Sequence, residues 1–359
     1  MESDSHSNAC PAKPAGAGEK GAPLAGSLTF QNLVSIIGWA CFAVSTILWL
    51  VLVVPHLRQY RVPNEQRQIF KIVSTPLIFA IVAVISTHTY HAADYLEPLA
   101  NLYEGFALAS LFLLYVQYVT PDVTTRDAFF QSLEKKGKKG SVTPGGSLRW
   151  FWNTWRTVFF YVVIYTVLVI IQEITKATGA YCSTSSRPRF ANIWRWQIQA
   201  LELGTTIWAI LAVIRFQRRL REFMNGKRAV AKLVMFKLFV VITTIQRVSL
   251  SLRPVNRNHL TAVQFIFGIL RSKVTGGSKV TYDDITIGLP ALLNCVEALM
   301  FMVGNYFIFN IREYRTGQEK DGPRSRIRKS LPDALNPMDL IRAIGLAFGS
   351  LRSRRSSQR

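Results

Sequence analysis

Runs of about 20 consecutive apolar residues recur along this chain, and a helix of that length spans the roughly 30 Å of hydrocarbon in a bilayer at about 1.5 Å per residue. Runs of that kind do not divide into the cores of the two or three soluble domains that 359 residues would otherwise make. Composition agrees, with 49% hydrophobic residues, 18% charged residues and a mean hydropathy of +0.19. The first run, Leu33 to Val54, carries no charge, is closed by Pro55, and reads as an uncleaved insertion signal. Six more fall at about 69–87, 98–119, 157–172, 193–214, 231–250 and 285–311. They are continuous and not alternating, so helices, which satisfy their own backbone hydrogen bonds in lipid, are expected in place of barrel strands. The predicted fold is an all-α polytopic membrane protein, with a seven-helix transmembrane bundle over residues 33–314.

Residues 1–32, rich in Gly, Ala, Pro and Ser, lack the basic and apolar regions of a cleaved signal and read as a disordered non-cytosolic tail. Orientation follows from the basic residues, because Lys- and Arg-rich loops resist translocation. Segments 55–68, 120–156, 215–230 and 312–359 together hold 28 of them, and the alternate connections hold 10, which puts the N-terminus outside and the C-terminus in the cytosol. The net charge of +22 is therefore a signal for orientation and for anionic lipids on the cytosolic side, not a nucleic-acid footprint. Residues 134–147 form a basic, Gly-rich linker. The tail over 315–359 is basic as well, but Leu340, Ile344, Ala347, Phe348 and Leu351 fall on one helical face before Arg352, Arg354 and Arg355. That pattern predicts an amphipathic interfacial helix over 338–352 on the membrane surface, against the alternative of a disordered tail with incidental apolar residues. Cys41 and Cys295 lie within spans and read as small packing residues. Cys10 and Cys182 share the outer side, where a disulfide and two free thiols are both open.

Polar residues inside the spans cost about 2.5–3.5 kcal/mol each when charged, so they ask for partners or a wet cavity. Arg195, Gln199, Glu202 and Thr206 recur as one stripe in the fifth span. In the sixth, Lys237, Thr244, Arg247 and Ser251 lie within about 80° of arc at about 100° per residue. Asn294, Glu297 and Asn305 share a face of the seventh with Gly304, and Asn101 and Glu104 stand near the outer end of the third. These stripes either line a cavity that binds a solute or moves a proton, or form interhelical pairs such as Lys237 with Glu297. His88, His91 and Asp94, at i, i+3 and i+6, have a spacing that permits metal binding. A third strong ligand is wanting unless His259 supplies it, so an ordinary wet helix end is the favoured reading and no metal or cofactor is expected. The sequence offers no nucleotide-binding glycine loop, nucleophile elbow or Cys-x-x-Cys.

Several ordered stretches resemble the eukaryotic organic solute transporter alpha-subunit family, with its transmembrane protein 184 and plant Lazarus-type relatives. PHLRQYRVPNEQRQIFKIVSTPLIFA, residues 55–80, resembles the family's basic loop entering its second helix, with Gln66, Arg67, Ile69 and Pro76 in place. Tyr103-Glu104 resembles the pair opening the third helix, and Phe236 to Gln246 resembles the Phe-Lys...Gln helix. Residues 285–301 resemble the Gly-Leu...Cys-x-Glu helix, and Arg312-Glu313-Tyr314 closes the last span. Ile245, Ala298 and Gly105 depart from the usual Trp, Met and Ala, which marks a divergent member.

The resemblance implies facilitated, ATP-independent movement of amphipathic organic solutes such as sterol or steroid conjugates and organic anions. It also implies a separate single-span beta-like subunit as partner; a homodimer is the other partnership considered. By position it points to Glu104, Lys237, Gln246 and Glu297 as substrate-binding residues, while Arg195, Gln199, Glu202, Asn294 and Asn305 rest on the stripes alone. In this reading Lys237, with Arg247 or Arg195, attracts an anionic head group. The alternative is a non-transporting seven-span scaffold or receptor that binds cytosolic partners and anionic lipids. A G-protein-coupled receptor is disfavoured, since QYVTPD stands where Asp/Glu-Arg-Tyr would close the third span and Asn336-Pro337 lies in the tail. A zinc hydrolase at His88, His91 and Asp94 is the least favoured reading.

Overall fold

The computed structural model describes residues 21–134, 146–178, 189–251, 279–281, 283–314 and 327–356. The linker residues 135–145, Cys10, Cys182 and His259 lie outside them. Among the described residues the chain is helical throughout, with no strand beyond one isolated bridge between Ala25 and Leu28.

Among the described residues, six helices are long and apolar enough to cross a membrane: Phe30–Arg58, Pro63–His88, Tyr90–Val119, Leu148–Ala177, Gln197–Arg219 and Asp284–Ile308. The second is two helices in sequence. α1 (Phe30–Arg58) is followed by α2 (Pro63–Val73) and α3 (Thr75–His88), which meet at Ser74. Pro76 has no N–H for the carbonyl four residues back, so the helical ladder breaks there. The break is pinned to α1 by the Trp49 indole, which donates to Ser74 Oγ at 3.0 Å. α4 (Tyr90–Val119) turns back after Thr89, whose extended backbone ends α3. The side chain of Gln31 then serves two otherwise orphaned carbonyls of the α3 terminus, Thr87 at 3.3 Å and His88 at 3.1 Å.

A short α5 (Arg126–Ser132) precedes α6 (Leu148–Ala177), α7 (Arg189–Arg219) and α8 (Ala229–Ser251). A five-residue π turn, Asp284–Gly288, leads into α9 (Leu289–Ile308), and the tail adds α10 (Ile327–Leu335) and α11 (Met338–Ser356). The helices outrun the apolar runs that mark them; the run at 157–172 is the middle of the 30-residue α6, whose first turns carry Trp150, Trp152 and Arg156 at the polar boundary. α1 begins at Phe30, inside the segment expected to be disordered to residue 32, because Thr29 caps it by accepting from Asn32 N at 3.3 Å.

α1, α3 and α9 pack mutually, α4 lies against α2 and α3, and α6 sits between α4 and α7. α8 fills the seam between α9 on one side and α4 and α7 on the other. The core centres on α4, where Leu111, Phe112 and Leu114 are fully buried. Phe112 meets the rings of Trp155, Phe159 and Phe216 at 5.7, 6.1 and 5.0 Å, edge contacts each adding about 0.5–1.5 kcal/mol beyond the area they bury. The outward faces of α1 and α6 expose Ile36, Trp39, Ile47, Ile164 and Ile174, the surface expected of helices bathed in lipid.

Candidate functional site

α7 turns Ile198, Glu202, Thr206, Ala209 and Val213 inward, so its polar stripe enters the bundle along with its apolar one. Four helices then contribute to one polar layer. Glu104 on α4 and Glu202 on α7 are both buried. Thr243 Oγ1 of α8 lies 3.4 Å from Glu104 Oε2, and 3.1 Å from each of the Phe239 and Val240 carbonyls, so one proton is shared among three acceptors. Thr206 Oγ1 donates to the Glu202 carbonyl at 2.7 Å and stands 3.5 Å from the hydroxyl of Tyr161 on α6. Gly105, next to Glu104, makes room for that ring, because a Cβ there would come within 3.2 Å of the Tyr161 hydroxyl. The glycine where the resembled family has alanine thus has a local packing reason.

A cleft large enough for about one water separates α8 and α9 from the α2–α3 break. Thr75, Pro76, Met235, Phe239, Phe301 and Asn305 line it, so it is aromatic with few polar groups. Gly304 sets its width: a Cβ on that residue would lie 2.3 Å from Met235 Cε.

Below the cleft, at the end of the bundle carrying the basic segments, lies a charge cluster. Lys232 of α8 is fully buried, 2.6 Å from Glu313 Oε2 and 2.9 Å from the Tyr118 hydroxyl. Lys227 pairs with Glu65 at 3.1 Å, and Tyr314 donates to the same carboxylate at 2.9 Å. Burial pushes the Tyr314 hydroxyl above its usual range, with the Glu65 charge adding to it, so it stays a neutral donor. His56 Nε2 holds the Phe309 carbonyl at 2.9 Å, closing α1 onto the end of α9.

The residues expected from sequence distribute unevenly over this frame. Glu104, Glu202 and Asn305 are buried, and Gln199, Asn294 and Glu297 are half-buried. Lys237 is exposed on the same face of α8 as Val234, Leu238, Val241 and Ile245, away from the layer around Glu104. The lysine that α8 turns inward is Lys232. The side chains of Arg195, Gln246, Arg247 and Ser251 lie outside the described residues. His88 and His91 do not share one helix, because the break at Thr89 falls between them; both are exposed, as is Asp94. Among the described residues no group of three His, Cys, Asp or Glu is placed to hold a metal ion. Cys41 and Cys295 are free thiols packed with Ala83 and Val84. A layer of carboxylates and hydroxyls in an apolar bundle can accept hydrogen bonds from a solute or hold a proton, and such groups keep a passage polar where lipid would otherwise close it.

The family model described as organic solute transporter Ostalpha matches residues 34–314. Vacuole membrane protein hfl11 of Schizosaccharomyces pombe is 22% identical over 319 residues, covering 86% of this chain and 69% of that protein. Protein LAZ1 homolog 1 of Arabidopsis thaliana is 20% identical over 296 residues, covering 77% of this chain and 57% of that protein. No solved structure matches the chain.

Proposed function

The chain belongs to the Ostalpha organic solute transporter family, matched over residues 34–314, and from that premise we propose that it moves amphipathic organic solutes across a membrane by a facilitated, ATP-independent route. The observation that carries this reading is the polar layer of Glu104, Tyr161, Glu202, Thr206 and Thr243 inside an otherwise apolar helical bundle. Purely structural helix contacts need no carboxylates, whose burial costs several kcal/mol each. The passage runs along the seam filled by α8, between the polar layer on one side and the aromatic cleft around Phe239 and Phe301 on the other. The cleft as it stands holds about one water, so in this proposal α8 shifts outward before the polar groups orient the head of the solute and the rings accept its apolar body.

In this proposal α8 also crosses the membrane, as the sixth of seven spans, the N-terminus is outside, and the C-terminus is cytosolic. The protein is a multi-pass membrane protein, and the name of the fission-yeast relative makes a vacuolar membrane the location proposed first. A single-span subunit is the proposed partner.

The test is uptake of a radiolabelled anionic steroid conjugate into liposomes holding the purified chain. Glu104→Gln and Glu202→Gln are expected to cut saturable uptake at least about tenfold, a change of about 1.4 kcal/mol, with full recovery of folded protein. Lys237→Gln, on the exposed face, is expected to leave it unchanged. Normal uptake in both carboxylate variants removes the polar layer from the mechanism. No uptake with or without a co-purified partner favours the non-transporting scaffold.

A further inference from the structure

The tail helix α11 carries apolar residues on more than one side, and the bundle accounts for one side only. Leu340, Ala343 and Ala347 are buried against α6 and α4. The Trp155 indole donates to the Ala343 carbonyl at 2.9 Å, and Asp339, at the start of the helix, binds Lys71 of α2 at 2.5 Å as well as Gln68. The docking is therefore polar and specific at one end and packed along its length.

The outward side is not packed: Ile341 and Phe348 lie together on one flank and are 53% and 47% exposed, Leu346 lies on the opposite flank at 47%, and the exposed Arg342 stands between Ile341 and Leu346. Leu335 and Met338 just before them are 59% and 44% exposed. What lies beside this face shows what covers it. The Phe348 ring meets the Phe160 ring of α6 with centroids 4.8 Å apart. From the next turn of α6 onward, Ile164, Val167, Ile170 and Ile174 form an outward strip of 45–58% exposure. The α6 strip belongs to a helix long and apolar enough to cross the membrane, and the outward residues of α11 match it in kind and in exposure. α11 thus continues a lipid-facing surface at the level where α6 leaves the polar boundary.

The charge beside this face fixes the kind of lipid. Arg328, Lys329 and Arg342 are exposed, and the last turns of α11 add Arg352, Arg354 and Arg355 in sequence with no acidic residue after Asp339. Apolar side chains among cations are the make-up of a helix seated at the boundary between head groups and acyl chains of an anionic leaflet. We propose that α11 is an anionic-lipid docking element, clamped to the bundle by one face and inserted in the leaflet at the basic end by the other. This differs from the interfacial helix expected from sequence, because Leu340 and Ala347, expected at the membrane surface, are buried against the bundle and the lipid meets only the rest of the helix.

The test uses the full-length protein in nanodiscs of phosphatidylcholine, with or without phosphatidylserine. A nitroxide is placed at Ile341, on the Phe348 flank, in a background whose native cysteines are replaced, and a second at Ile174 serves as the bilayer reference. The Ile341 label is expected to collide with oxygen as the Ile174 label does, with collisions with a water-soluble nickel chelate falling several-fold when phosphatidylserine is added. The combined changes Arg342→Gln, Arg352→Gln, Arg354→Gln and Arg355→Gln are expected to remove that lipid dependence while the Ile174 signal stays the same. Equal nickel access in both lipids shows a solvent-facing helix and overturns the proposal. Exclusion of both reagents shows a protein cover, such as a second copy of this chain, and overturns it as well. An altered Ile174 signal identifies a misfolded sample, for which the Met338→Glu variant measured alone replaces the arginine set; a rise in nickel access at Ile341 supports lipid seating, and no change overturns it.

Discussion

At the scale of single residues, the buried lysine is the strongest constraint. Lys232 has no exposed surface and depends on Glu313 and Tyr118 for compensation. Lys232→Ala strands the carboxylate, and thermal unfolding of the purified protein is expected to show a loss of about 3–5 kcal/mol. Lys232→Met combined with Glu313→Gln removes both charges and is expected to recover most of that loss. The sequence shows both lysines inside one apolar run, five positions apart, but not which face of α8 turns inward. A stripe through Lys237, Thr244 and Arg247 is as regular as the face that is buried, which carries Leu233, Phe236, Phe239, Val240 and Thr243. A helix with apolar residues all round gives periodicity nothing to choose by, and the long stem of an outward lysine lets its charge reach the polar boundary. On α7 the polar stripe shares its face with Ile198, Ala209 and Val213, and Glu202 and Thr206 were legible for that reason.

At the scale of elements, close approach and breaks matter more than propensity. Two glycines in apolar helices differ sharply in what surrounds them. Gly304 has Met235 where its Cβ would go, whereas nothing lies within 4 Å of a Cβ at Gly204. Gly304→Leu is expected to push α8 from α9 and to lower both the melting temperature and uptake, while Gly204→Ala is expected to alter neither, as paired melts and uptake assays will show. The helix breaks were only partly legible. Pro76 announces the end of α2, but the His88–His91 spacing reads as one helix because Thr89 carries no breaker signal; the chain reverses there as a matter of packing. The tail elements make the third prediction. Asp333 accepts from Arg67 at 2.6 Å and from Tyr60 at 2.8 Å, and holds α10 to α2. Burial alone would raise its carboxyl, but the hydrogen bonds from Arg67 and Tyr60 outweigh this and hold it below the usual carboxylate range. A depressed folded value means the stabilisation is complete above the ordinary carboxylate range and is lost as pH falls through the depressed value. The hydrogen-exchange protection of residues 327–349, corrected for the intrinsic pH dependence of amide exchange, is expected to be flat around neutrality and to fall only in acid, and Asp333→Asn is expected to show the reduced protection at neutral pH.

At the scale of the whole molecule, membrane class and helical architecture were legible because hydrocarbon thickness sets the length of an apolar run. The way the helices pair was not, since that depends on contacts far apart in sequence. An odd number of spans would leave the two termini on opposite sides of the membrane. Impermeant labelling of intact isolated vacuoles, whose outer face is the cytosolic one, is expected to reach a C-terminal tag and to reach an N-terminal tag only after permeabilisation. Tail contacts bear on a different matter, the order in which the chain can be completed. Ser330 bonds the Leu57 carbonyl, and Asp333 and Asp339 bond Arg67 and Lys71, each across more than 260 residues. The first two inserted segments must therefore wait for partners that are made more than 260 residues later. A chain stopped before residue 327 would carry all the apolar helices described above and still show quality control an unfinished end.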